Sequence, residues 1–156
     1  MTESEKVIRE QLINLLKGGN AHLKTVDAIK NFPEGYINKI HSPISYTPWQ
    51  LLEHIRIAQR DILEFIIDPN YVSPKWPEGY WPPISDLGDK EKWDISFNKF
   101  NEDFNSLLEM VNNQNIDLYS PILHAKDYTI FREILLVADH NAYHVGQLVL
   151  LKKLFS

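Results

Sequence analysis

The chain of 156 residues contains no cysteine. Disulfides, thiolate catalysis and Cys-bound zinc are therefore excluded, and a cytoplasmic setting fits. A basic run or Lys/Arg-rich helix is also missing. Lys and Arg together number 16 against 21 Asp and Glu, a net charge of −5, which argues against nucleic acid or an anionic membrane as main partner. No uninterrupted apolar run reaches membrane-spanning length. The opening MTESEKVIREQ lacks the apolar core of a signal peptide, and neither internal repeats nor low-complexity segments occur. What is left is an ordinary globular composition, 44% hydrophobic and 24% charged. The length suits one domain, residues 1–156, with a sizeable core.

The most informative stretch is the last, Thr129 to Phe155. It is long, apolar and free of proline, and reads as a buried helix. His140 and His144 are four residues apart, a spacing that stacks two imidazoles on one helix face. The stripe through them is Leu136, Val137, His140, Tyr143, His144, Gln147, Leu148 and Leu151. Burying an imidazole costs free energy unless it has a partner. Either each histidine is satisfied by its own hydrogen bond or wetter edge, or the pair supplies two ligands to one divalent ion. On the pair alone the two readings stand even.

Taken from its start, the chain gives a first helical pattern over 4–17, with Ser4 as its cap and Val7, Ile8, Leu12, Leu15 and Leu16 apolar. Gly18-Gly19-Asn20 breaks it, and Ala21–Asn31 reads as helix again. Residues 32–46, with Pro33, Gly35 and Pro43, read as loop. A second strong helix spans 47–67: Thr47 caps, Pro48 suits the first position and Gln50 completes a capping box. Its apolar face runs through Leu51, His54, Ile55, Ala58, Ile62 and Phe65, so His54 is a third histidine directed at the core. The loop 71–89, YVSPKWPEGYWPPISDLGD, is too long for a simple connector. Its Trp76, Tyr80 and Trp81 either cover the bundle or a subunit contact, the commoner use, or wall a substrate. A third helix, 90–113, carries Trp93, Ile95, Phe97, Phe100, Phe104, Leu107, Leu108 and Val111 as scaffold, and a loop follows to Tyr128. His22, His41 and His124 fall at breaks or in loops, where solvent satisfies them.

Four long helices without clear strands make an all-α bundle, in which metal sites are built from inward side chains of facing helices. The segments SYTPWQLLEHIRIAQRDILEF (45–65) and LLVADHNAYHVGQLVLLKKL (135–154) resemble the DinB/YfiT-like superfamily of metal-dependent enzymes. WPEGYWPP is similar to one branch of it, and the resemblance covers almost the whole chain. It implies an up-down-down-up four-helix bundle, often a homodimer. It also implies a divalent metal, nickel or zinc, held by three histidines that fall on His54, His140 and His144. It implies no DNA binding. Relatives of this kind include transferases and isomerases that use low-molecular-weight thiols, which points to a small-molecule substrate.

Three protein ligands leave a position open, the catalytic rather than the structural arrangement. One reading is an enzyme that activates water or a thiol for hydrolysis or transfer. The other is a non-catalytic bundle, metal-binding or stress-related, whose ion only ties two helices. Glu53, Asp139, Asn141, Tyr143 and Gln147 lie near the ligands in sequence and are candidates to support them. Glu53 and Asp139 sit one residue off the ligand face, so no general base is assigned.

Overall fold

The computed structural model describes residues 2–156. It is mostly helical. The elements in order are α1 (Glu3–Lys17), a short α2 (Thr25–Lys30), a single 3₁₀ turn (Glu34–Tyr36), α3 (Pro48–Ile67), α4 (Lys90–Asn112), the strands β1 (Pro121–Ile122) and β2 (Ala125–Thr129), and α5 (Ile130–Phe155). None of the described helices is long and apolar enough to cross a membrane.

Four long helices are present as the hydrophobic periodicity predicts, with differences at their ends. The cap of α1 is Thr2, not Ser4. The Thr2 hydroxyl accepts from the Glu5 amide, and the Glu5 carboxylate accepts from the Thr2 amide at 2.6 Å. That reciprocal pair satisfies two helix-end donors, which Ser4 inside the first turn has no need to do. Val7 and Leu15 face solvent. The helix expected over 21–31 shrinks to Thr25–Lys30. Residues 121–129, expected as loop, contain an antiparallel hairpin. It is too short and too exposed for an alternating apolar pattern to reveal it.

One cluster of buried apolar side chains extends from Leu12 in α1 to Leu151 in α5. Trp93 of α4 is one of its two tryptophans. It stacks on Phe32 with ring centroids 5.1 Å apart and donates its indole N–H to the Ile29 carbonyl at 3.2 Å. This holds α2 and the following turn on the bundle. At the far end Arg9 of α1 is buried, and its two terminal nitrogens donate to the carbonyls of Val111 (2.7 Å), Asn113 (3.2 Å) and Ile116 (2.6 Å). A cation thus meets the carbonyl end of α4, where the helix dipole favours it.

The capping box at α3 forms as its sequence predicts: the Gln50 amide donates to Thr47 Oγ1 at 3.1 Å, and the Thr47 amide to Gln50 Oε1 at 3.0 Å. The same Gln50 side chain donates from Nε2 to the Pro82 carbonyl at 2.8 Å. One residue therefore starts the helix and fastens the long loop to it. Further along the loop, Asn38 bonds both the amide and the carbonyl of Gly88, at 2.9 and 2.7 Å. A Cβ at Gly88 would lie 2.6 Å from the Trp49 ring, so the close approach requires glycine there.

Candidate metal centre

The centre lies where α3 meets α5. Its location follows from helix geometry. On α5 the fully buried face runs through Ile134, Val137, Ala138, Asn141, Val145, Leu148 and Leu151. His140 and Gln147 flank that face, His144 lies at its edge, and Tyr143, expected on the core stripe, is 65% exposed. The stripe is rotated by roughly one residue from the one read in the sequence, because Asn141 occupies the middle of the seam. It is held there by a buried partner. Asn141 Nδ2 donates to Gln59 Oε1 at 2.9 Å, and Gln59 Nε2 donates to the Phe100 carbonyl at 2.8 Å. These amides tie α3, α4 and α5 together beneath the histidines. Gln59 escaped the sequence reading; its signal is a polar residue one turn after the buried Ile55.

His54, His140 and His144 come together as the sequence predicts, each offering a nitrogen within 4.8 Å of the others. All three present Nε2. The Nε2 of His54 is 3.1 Å from that of His144 and 3.1 Å from that of His140. The other ring nitrogens explain what this means. His54 Nδ1 lies 3.2 Å from the Tyr80 carbonyl, which can only accept, so the proton of a neutral His54 sits on Nδ1. His144 Nδ1 lies 2.6 Å from Gln147 Oε1, which assigns its proton in the same way. Two lone pairs on Nε2 then face each other at hydrogen-bond distance with no proton between them. A cation resolves that repulsion. Four-coordinate metal–imidazole bonds of 2.0–2.1 Å place neighbouring nitrogens about 3.3 Å apart, close to the spacing found. The donor set fits a divalent transition metal.

The electrostatics agree. His54 is pulled down to about 4, by burial first and by His144 next, against the raising effect of the Tyr80 carbonyl. His140 is pulled down to about 3 by burial and then by the other two imidazoles. Burial also lowers His144, against the bond to Gln147. All three rings are neutral at pH 7, the form that ligates metal.

The remaining candidates separate clearly. Glu53 points away from the cluster, bonded to the Arg56 guanidinium at 2.7 and 2.9 Å and to the Ser96 hydroxyl. Burial raises its carboxyl, but those bonds outweigh burial and hold it low. Asp139 lies on a groove between α1 and α5 that Leu15, Leu135 and His22 also line. His22 Nδ1 contacts the Leu23 carbonyl at 2.7 Å, His41 packs near Phe155, and His124 Nε2 contacts the Phe65 carbonyl at 2.8 Å. None of these three joins the cluster. The aromatic loop does reach it. Trp81 stacks flat on His54, with centroids 3.9 Å apart and planes 9° from parallel, and Tyr46 leans on Trp81 at 5.6 Å. Covering is the use found for Trp81, and what it covers is the histidine cluster. Trp76 remains 66% exposed at its side.

A helical bundle with three converging imidazoles on two facing helices belongs to the class of bundles that can hold a metal ion at their seam. Within that class the chain belongs to the DinB superfamily, whose family model matches residues 21–148. That span contains α3, the aromatic loop and all three histidines. No curated protein matches the chain.

Proposed function

We propose that the protein is a metal-dependent enzyme acting on a small molecule, with His54, His140 and His144 as ligands to nickel or zinc. The observation that carries the reading is the approach of the Nε2 atoms of His54 and His144 to 3.1 Å, with an oxygen acceptor at each Nδ1. An all-nitrogen set without carboxylate suits nickel or zinc better than calcium or magnesium. Bound there, such an ion supplies Lewis acidity toward a water, a thiol or a carbonyl. The chain's own part is to hold three neutral imidazoles in register, to keep water off His54 with Trp81, and to support His144 through Gln147. Hydrolysis and thiol-dependent transfer both fit this chemistry. A low-molecular-weight thiol is the proposed co-substrate, supported by the family resemblance.

A second reading, a non-catalytic ion joining α3 and α5, is favoured by one observation: Glu53, the acidic neighbour of His54 in sequence, is committed to Arg56 and Ser96. Loading the protein with zinc or nickel and screening it against thiol conjugates and small esters separates the two. Turnover that His140→Ala abolishes supports the enzyme. Stabilisation by metal with no turnover across the screen supports the structural ion. The same proposal carries the up-down-down-up arrangement of one domain, a cytoplasmic setting and a homodimer. Exposure of Leu15, Leu135 and Leu150 supports the dimer, and a monomer mass by light scattering at micromolar concentration contradicts it.

A further inference from the structure

Two of the ties between α3 and the loop over the histidines bracket His54. Gln50, one turn before His54, holds the Pro82 carbonyl at 2.8 Å. Asp61, seven residues after it and so about 10 Å further along the helix, accepts from the Tyr80 hydroxyl at 2.6 Å. Tyr80 therefore reaches in two directions. Its side chain extends along α3 to Asp61, while its own carbonyl stays at His54 Nδ1, 3.2 Å away. The next residue, Trp81, lies flat on the same imidazole. Asp61 also faces the Tyr71 hydroxyl. Its second oxygen, Oδ1, is buried and has no hydrogen-bond partner among the described residues, an arrangement that costs stability. Burial and the Asp61 contact hold the Tyr80 hydroxyl far above the ordinary tyrosine range, so it stays a donor. Burial and the same carboxylate push the Tyr71 hydroxyl up to about 12.

We propose that Asp61 and Tyr80 are positioning residues for the metal centre: their hydrogen bond holds the Tyr80 carbonyl against His54 Nδ1 and thereby fixes the tautomer that aims the His54 Nε2 lone pair at His140 and His144. The proposal rests on the metal-ligand reading of the three histidines, but its first consequence, a single His54 tautomer, belongs to the metal-free protein. Without the hydroxyl anchor the carbonyl is free to leave Nδ1. The Nε2–H tautomer then becomes populated, and it presents a proton where a ligand atom is needed. Partners that orient a ligating histidine are typically worth about 10- to 100-fold in metal affinity.

The test compares wild type with Tyr80→Phe, Asp61→Ala, Asp61→Asn and Asp86→Ala. Asp86 is the control, because it fastens the other end of the same loop through Trp49 Nε1 at 3.4 Å and Lys92. Long-range ¹H–¹⁵N spectra of the metal-free proteins at neutral pH read the tautomer. Zinc affinity is read by competition with a chromophoric chelator, and melting temperature checks folding. Wild type and Asp86→Ala should show His54 protonated on Nδ1 alone. Tyr80→Phe and Asp61→Ala should show mixed tautomers and about 10-fold or greater loss of zinc affinity. Asp61→Asn, which keeps an acceptor, should retain most of both. A wild-type His54 spectrum in Tyr80→Phe overturns the proposal, as does an equal loss in Asp86→Ala, which would mean that any loosening of the loop suffices. Should wild type bind no zinc, the metal reading fails while the tautomer comparison still judges the strap.

Discussion

Arg9 and the three histidines are both buried polar clusters, and they are built on opposite principles. Arg9 brings N–H donors to three carbonyls at the end of α4: donors meet acceptors, and the helices close on themselves. At the α3–α5 seam, acceptor meets acceptor, since the Nε2 atoms of His54 and His144 both carry lone pairs. The protein spends two further acceptors, the Tyr80 carbonyl and Gln147, to keep them so. A buried polar cluster whose donors meet acceptors within the chain supports the fold. One whose acceptors crowd together, so that a cation would complete it, points to function.

That contrast can be broken most forcefully at the histidines. Replacing His54, His140 or His144 by Ala should weaken zinc or nickel binding by on the order of 100-fold or more. It should also abolish the stabilisation by metal, which for wild type amounts to about 4 kcal/mol at a free ion concentration of about 1,000 Kd. Melting curves with and without ion, recorded for each variant, check this. Arg9→Ala should do the reverse. Three carbonyls lose charge-assisted donors, so stability should fall by about 2–4 kcal/mol, equally with and without metal, while metal stoichiometry stays at the wild-type value.

A smaller effect sharpens the same contrast through pH. Burial holds the three clustered histidines below the ordinary imidazole value of about 6.5, His54 at about 4 and His140 at about 3. Below pH 6.5 the unfolded chain takes up protons that the folded, metal-free chain refuses. The stability due to neutral imidazoles is thus complete above pH 6.5 and is lost progressively as pH falls toward 3. Denaturant titrations between pH 7.5 and 4.5 should show a steeper acid loss for wild type than for His140→Ala; parallel curves would contradict the burial argument. The smallest effect belongs to the loop histidines. His22→Ala, His41→Ala and His124→Ala should leave metal content unchanged and shift stability by less than about 1 kcal/mol, as elemental analysis and melting curves can show.

Much of the centre was legible in the sequence because helix periodicity is regular. The i, i+4 pair His140 and His144, the capping box Thr47–Gln50 and the placement of His54 on an apolar face each depend on local spacing, and each holds in the structure. What escaped depends on contacts between distant residues. The one-residue rotation of α5 is set by Asn141 meeting Gln59 from another helix. The path of loop 71–89 is set by side-chain bonds to Asn38, Gln50 and Asp61, which no periodicity encodes. The 121–129 hairpin is short and mostly exposed, so burial wrote no alternation into it.

Whether a cation completes the α3–α5 seam can be read by titrating purified, chelator-stripped protein with zinc and with nickel and counting the ions retained after desalting. Wild type should retain about one equivalent per chain and His140→Ala essentially none. Retention well under half an equivalent by wild type, or full retention by His140→Ala, would contradict completion by a cation.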